Sequence, residues 1–342
     1  MVTLALRTTA WVKARQHSMG LAATSAALAG TLLGCGALAQ AAQPDFPTRP
    51  VRLVNPYTPG GSVDLVGRAL AAGVSELWGQ QLIVDNRPGA GTQIGTELVV
   101  RAEPDGYTML VTSSTIAILS SMYKNMRFDP IRALRAVGLV AVSPFVLVVN
   151  PSVPAKSVQE LMTLAKGQPG KITGCSSGVG TTNHLTLEMF KSMGGIEVLH
   201  VPYKGGNPAI SDLIGGQVNM HFNTPGTLFP HVKAGKLRAL ATTSPKRADF
   251  APELPTVAES GIPGFESTVW YGVYGPKTLP PHIVQRWSDA INAYIKTPQA
   301  QAHARNTYMI SGGGSPASFA EFHKRETERW STVIKAARIE PQ

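Results

Sequence analysis

Two glycine-rich stretches, Pro59-Gly60-Gly61-Ser62 and Ser176-Ser177-Gly178-Val179-Gly180-Thr181-Thr182, carry the residue types suited to holding an anion. The first lies between the apolar run Val51 to Val54 and a helical pattern that starts near Val63. The second precedes a helical pattern at His184 to Met193. A helix start leaves backbone N–H groups unpaired and pointing outward, with the positive end of the helix dipole behind them. Glycine lets an anion approach that backbone closely. Two such turns, far apart in sequence, predict two anion-binding ends facing each other across a cleft. The plain alternative for Gly60 and Gly61 is a tight strand-to-helix turn. For Ser62, Thr181, Thr182 and Asn183 it is helix capping, which is compatible with ligand contact because an N-cap lies at the anion site.

Several motifs for catalysis are missing from the sequence. There is no Gly-Lys-Ser/Thr phosphate loop, and the pair Gly178-x-Gly180 lacks the third glycine of a dinucleotide fingerprint. No His-x-x-x-His or Cys-x-x-Cys spacing suggests a metal. The reading is a binder rather than an enzyme, with no catalytic residue, metal or cofactor assigned.

The elements that position the turns alternate between strand and helix. Strand Val51–Asn55, helix Val63–Trp78, strand Gln81–Asp85, helix Thr92–Ala102 and strand Thr108–Thr112 form a β-α-β-α-β series, which implies parallel strands with right-handed crossovers. Val137–Asn150 is a long β-branched run broken by Ser143-Pro144 and reads as strands crossing between domains. A second α/β series follows: helices Ser157–Lys166, Asn183–Met193 and Asn207–Gly215 among strands Ile172–Cys175, Val198–Val201, Met220–Asn223 and Leu237–Thr242. Phe265–Tyr274 is a second candidate crossover, with Trp270 and Tyr271 packing in it. The tail from Pro281 is mostly helical, with Ile283, Trp287, Ile291 and Ile295 recurring at i+4. Two crossovers make the first lobe discontinuous: residues 45–145 with 270–342, the second lobe being 146–269, and hinge crossovers near 140–150 and 265–275.

The chain has 342 residues, too many for one ordinary core, and at 43% hydrophobic and 15% charged it is globular. Residues 1–39 read as a secretory signal peptide: Arg7, Lys13 and Arg15, then an uncharged small and apolar stretch, then Ala37-Leu38-Ala39 as the cleavage site. The rival reading is a lipobox, Leu32-Leu33-Gly34-Cys35, which would lipidate Cys35. The net charge is +10; the leader holds three of these charges and no acid, leaving +7 on the mature chain. Lys and Arg are scattered, so no nucleic-acid partner is expected. Without the leader Cys175 is alone and reads as a small buried thiol. Arg87 is assigned to backbone carbonyls rather than to a ligand.

The run Arg49-Pro50-Val51-Arg52-Leu53-Val54 followed by Pro59-Gly60-Gly61-Ser62-Val63-Asp64 resembles the opening signature of the Bug-type solute-binding proteins of tripartite tricarboxylate transporters. The resemblance continues in order through Asn86-Arg87-Pro88-Gly89-Ala90-Gly91, Pro104-Asp105-Gly106-Tyr107-Thr108, Ser176-Ser177-Gly178 and Val201-Pro202-Tyr203-Lys204-Gly205. It then takes in Leu213-Ile214-Gly215-Gly216-Gln217-Val218 and Pro255-Thr256-Val257-Ala258-Glu259-Ser260-Gly261, and so covers nearly the whole mature chain. It implies an α/β, type II periplasmic-binding-protein fold: two α/β lobes, a two-stranded hinge and a ligand cleft between them. It also implies a small carboxylate ligand held by backbone amides and bridging waters, and delivery to membrane permease subunits.

Carried over by position, Tyr57 matches the aromatic residue of the first loop. Gly60, Gly61 and Ser62 would bind one carboxylate, and Asp64 is the acidic residue beside them, read as a cap or positioning group. Ser177, Gly178, Gly180, Thr181 and Thr182 would bind the other end, and His184 matches a histidine that commonly follows. Three departures from the family stand out: Val179 where a polar residue is usual, Asn223 where Asp is frequent, and Ser113-Ser114-Thr115 in place of a glycine- or asparagine-rich stretch. Asn223 in place of an acid argues against a ligand ammonium group. The expectation is a periplasmic, monomeric solute receptor. Its alternatives are a ligand-presenting sensor for a membrane kinase and an exported hydrolase or isomerase on the same scaffold.

Overall fold

A computed structural model describes residues 46–341. The expected leader, its cleavage site and Cys35 lie outside the described residues. The chain builds two sheets. The first takes β1 (Val51–Asn55), β2 (Leu82–Asn86), β3 (Thr108–Ser113), β4 (Leu134–Pro144), β10 (Thr268–Pro276) and β11 (Ile310–Ser311), in the order β11-β4-β10-β3-β1-β2. The second takes β5 (Val146–Val149), β6 (Thr173–Ser176), β7 (Leu199–Pro202), β8 (Met220–Asn223) and β9 (Arg238–Thr242), in the order β7-β6-β8-β5-β9.

The expected parallel pairings are present: β1 runs parallel to β2 and β3, and β6 parallel to β7 and β8. These strands are joined by the helices α1 (Ser62–Trp78), α2 (Gln93–Val100), α6 (Thr182–Gly194) and α7 (Gly206–Ile214). The short helices α3 (Leu119–Met122) and α4 (Pro130–Ala133) lead into β4, and α5 (Val158–Gly167) leads into β6. Helix α8 (Pro225–Lys233) follows β8, and α9 (Pro281–Tyr294), α10 (Pro298–Thr307) and α11 (Pro316–Ala336) form the tail. Helices α9 and α11 pack on β4. Trp287 of α9 is fully buried and donates its indole N–H to the Gly106 carbonyl at 3.2 Å. Helix α9 also lies so close to α1 that a Cβ on Gly73 would fall 2.2 Å from the Tyr294 ring, so the contact requires glycine.

The two candidate crossovers are where the chain changes sheets, and each carries a long strand. Only Phe145 separates β4 in one sheet from β5 in the other. On the return, Thr243 joins the two passes. Its N–H donates to the Phe145 carbonyl at 2.9 Å, its Oγ1 accepts the Phe145 N–H at 2.8 Å, and its carbonyl accepts the Ser267 N–H at 3.0 Å. Strand β10 then pairs antiparallel with β4 along its full length. The strands flanking the two crossings, β4, β5, β9 and β10, are all held in ladders. This is a two-lobed α/β fold with a two-stranded hinge and a cleft. Cys175 is buried and unpaired, and burial pushes its thiol up to about 12, which keeps it protonated.

Candidate functional site

A cavity of about 40 Å³ lies in the cleft, where the loops at the ends of β1, β3, β6, β7 and β8 meet the hinge. Tyr57, Thr58, Gly61, Ser62 and Val63 come from the β1–α1 turn; Ser113 and Thr115 come from the end of β3. Ser177, Thr181, Thr182 and Asn183 come from the β6–α6 turn, Gly206 opens α7, and Asn223 ends β8. Phe145 and Val269, beside the hinge, close the floor. Three helices thus start at the cavity: Ser62 and Val63 are in the first turn of α1, Thr182 and Asn183 in that of α6, and Gly206 is the first residue of α7. First-turn amides have no partner within their own helix, and the positive dipole ends sum where they converge. Among the described residues no Asp, Glu, Lys, Arg or His side chain lines the cavity, so its field comes from backbone, hydroxyl and amide dipoles.

The hydroxyls are fixed by one another. Tyr57 Oη lies 2.7 Å from Ser113 Oγ, which donates to Thr115 Oγ1 at 3.2 Å. Burial raises the Tyr57 pKa against the pull of its hydroxyl partners, so the phenol stays protonated. Across the cleft, Ser114 Oγ lies 2.7 Å from Thr182 Oγ1. Asn183 Oδ1 accepts from Thr181 Oγ1 at 2.7 Å, and its Nδ2 donates to Ser177 Oγ at 2.9 Å. Asn223 is oriented by His221, which is neutral because burial brings its pKa to about 4. His221 Nδ1 lies 2.8 Å from the Cys175 carbonyl, which makes it the donor, so Nε2 accepts from Asn223 Nδ2 at 3.1 Å. While the ring is neutral in this tautomer, an Asp carboxylate at 223 could not make the bond to Nε2 that the Asn223 amide makes.

Of the residues singled out by sequence, Tyr57, Gly61, Ser62, Ser177, Thr181, Thr182 and Asn223 line the cavity. Six others do not. Gly60 lines a neighbouring cleft beside Asn207 and donates its N–H to Asp64 at 2.9 Å. Asp64 is buried beneath the turn, where its two oxygens also accept from Arg68 at 2.8 Å and Asn86 at 2.9 Å. Burial alone would raise its pKa; the Arg68, Gly60 and Asn86 bonds outweigh that and hold the carboxyl below its usual range. Asp64 therefore spends its charge on shaping the turn. Gly178 donates to Ser176 Oγ and accepts from Thr181 Oγ1, the Val179 carbonyl accepts from Tyr123 Oη at 3.1 Å, and Gly180 donates to His184 Nδ1 at 3.2 Å. These three residues and His184 form the back of the turn.

Further expectations need correction. Gly61 is the N-cap of α1, Ser62 is its first helical residue, and no side chain caps that helix start. Arg87 pairs with the Asp85 carboxylate at 3.0 Å rather than with backbone carbonyls. Trp270 packs on Phe319 and Phe322 of α11 and donates to Glu326, facing away from the cavity. The sequence reading overlooked Thr58, Val63, Phe145, Val269 and Gly206 as lining residues. A signal for the last was present: Gly205-Gly206 is a third glycine turn at a helix start.

His184, Glu188 and His200 place one ligand-type atom each within 4.8 Å of one another, behind the β6–α6 turn. Their hydrogen bonds argue against metal ligation. With Gly180 N–H donating into Nδ1, the neutral His184 ring carries its proton on Nε2, 3.7 Å from Glu188. Lys191 takes the Glu188 carboxylate at 2.8 Å. The two imidazole rings stack at 4.0 Å. Burial, reinforced by the neighbouring charges, brings His184 to about 3 and His200 to about 4, so both are neutral at pH 7.

Known proteins agree with this architecture. Residues 66–339 match the family model described as the tripartite tricarboxylate transporter family receptor, TctC. A protein encoded in the tcbD–tcbE intergenic region of a Pseudomonas species is 38% identical over 86% of this chain and 88% of its own length. R. palustris Rpa4515, solved with adipate, has a TM-score of 0.85 at 35% identity, covering 87% of this chain and 100% of its own. The periplasmic binding protein BugD has a TM-score of 0.83 at 32% identity, again over 87% of this chain and 100% of its own. The chain belongs to the TctC family of tripartite tricarboxylate transporter receptors, the Bug-type solute-binding proteins.

Proposed function

We propose that this receptor is exported to the periplasm, captures a small carboxylate in the cleft between its sheets, and delivers it to the membrane permease subunits of a tripartite transporter. The observation that carries this reading is the convergence of three helix N-termini on a cavity without charged side chains. Such a site supplies donors for an anion and no carboxylate for an ammonium group. The adipate bound by Rpa4515 supports the ligand class. A receptor acting by capture has no need of a titrating group at the ligand, and Tyr57, the one titratable side chain lining the cavity among the described residues, stays protonated. Only contacts made in the closed form can drive closure. Here these include the Ser114–Thr182 pair and the Asn207 side chain donating to the Pro59 carbonyl at 3.1 Å.

The cavity is small, at about 40 Å³, so the closed site favours short acids. Calorimetric titration of the mature chain with succinate, adipate and succinamide tests the reading. Succinate is expected to bind most tightly, adipate more weakly, and the uncharged diamide at least about a hundredfold more weakly than succinate, with every compound recovered unchanged. Equal affinity for acid and diamide, or turnover of either acid, would contradict it.

A further inference from the structure

We infer that His184 is a positioning residue of the ligand site: its Nδ1 accepts the Gly180 N–H at the back of the β6–α6 turn, so that the first amides of α6 face the cleft. The inference rests on the proposed capture role and adds how that turn is held in register.

Gly178 and Gly180 both have positive φ, +136° and +73°, and their N–H groups bond behind the turn rather than into the cavity. Each buried amide then needs an acceptor behind the turn. Ser176 Oγ accepts from Gly178 at 3.2 Å and lies 2.6 Å from His200 Nε2. His184 Nδ1 takes Gly180. The stacked imidazoles therefore hold one glycine amide each, His184 directly and His200 through Ser176. His184 occupies the third helical position of α6, after the N-cap Thr181. A Glu or Gln side chain there reaches back to the start of a helix in a capping box. Histidine reaches one residue further, to the amide of Gly180 just before the N-cap, and does so with a neutral acceptor that adds no negative charge of its own behind an anion site. The ring is nearly fully buried, and its Nε2 faces Glu188. The side chain thus stands one layer behind Thr181 and Thr182 and does not line the cavity.

The test compares His184→Leu, which keeps the bulk and removes the acceptor, with His184→Gln, which restores an acceptor at the same helical position. Succinate affinity is read by calorimetry and exchange of the Gly180 amide by NMR. The Leu variant is expected to bind about tenfold to a hundredfold more weakly, with the Gly180 amide exchanging rapidly, while the Gln variant stays within about threefold of the parent. Ser176→Ala, which leaves the buried ring pair intact, is expected to weaken binding in the same direction and gives a second reading should the Leu variant not fold. Parent-like binding in the Leu or Ala variant, or a Gln variant as weak as Leu, overturns the inference. Should the parent itself not bind succinate, the capture reading fails while the exchange measurement still decides the role of His184: protection of Gly180 in the parent and Gln proteins and its loss in Leu support it, and equal exchange in all three overturns it.

Discussion

Gly205→Ala is expected to abolish ligand capture, weakening succinate by at least about a hundredfold, while the variant remains folded. Gly205 is the N-cap of α7, at φ 136° and ψ 171°, a region open essentially to glycine alone. A Cβ there would lie 2.0 Å from Thr58 Oγ1 and 3.2 Å from Thr58 Cβ. Thr58 lies in the turn after β1 of one sheet and Gly205 in the turn after β7 of the other, so the collision is made only when the cleft shuts. Backbone strain of about 1–3 kcal/mol acts in both the open and the closed state, whereas the Thr58 contact penalises closure alone. Calorimetry together with small-angle scattering separates the two effects: the parent should contract on adding succinate and the variant should not. Thr58→Ala in the Gly205→Ala background should recover part of the affinity by removing the nearest colliding atom. Unchanged affinity in Gly205→Ala would mean that the closed cleft is not the binding form.

Acidification is expected to destabilise the protein well before its carboxylates titrate. Burial holds His184 near 3 and His200, His221 and His323 near 4, against 6.5 for a free imidazole. Folded-state values below the free value mean that the unfolded chain takes up protons first. The stability these neutral rings contribute is therefore whole above about pH 6.5 and is lost as the pH falls toward their folded values. At about 1.4 kcal/mol per displaced unit, and with the stacked His184–His200 pair not additive, the loss by pH 4.5 is on the order of several kcal/mol. Asp64, Asp85 and Glu259, whose folded values are also lowered, start from 3.8, 3.8 and 4.5 and so add their loss chiefly below this window. Urea unfolding between pH 7.5 and 4.5 should show a falling midpoint at constant slope. Replacing His323 by Gln, which removes one such ring remote from the cleft, should flatten the fall. A midpoint independent of pH over that range would show that these imidazoles are not held neutral by the fold.

The parts of the fold legible in the sequence were those encoded locally. The glycine turns before α1 and α6, the parallel β-α-β-α-β series and the apolar faces of the tail helices depend on residues a few positions apart, where periodicity and turn chemistry act. Ladders between distant segments were not legible. β4 and β10 were read as two separate crossovers, whereas they are one antiparallel pair joining residues more than a hundred positions apart. The site divides the same way. The loops around the cavity could be found from glycine placement, but which residue of each loop faces inward depends on what stands behind it. Asp64 is turned from the cavity by Arg68, Asn86 and Gly60. Gly180 and His184 are turned from it by each other, and His200 arrives from β7 to stack on the pair. Asn223 is set by His221, two residues earlier on the same face of β8.

The central claim, that amides from three helix starts converge on one small acid, is tested most directly by following backbone amide resonances of the isotope-labelled mature chain during a succinate titration. The account expects the amides of Ser62, Val63, Asn183 and Gly206 to move downfield together and to saturate with a single Kd, because each would donate to the same bound anion. Shifts confined to one of these turns, or centred away from the cleft at the basic groove lined by Arg135 and Lys277, would contradict it.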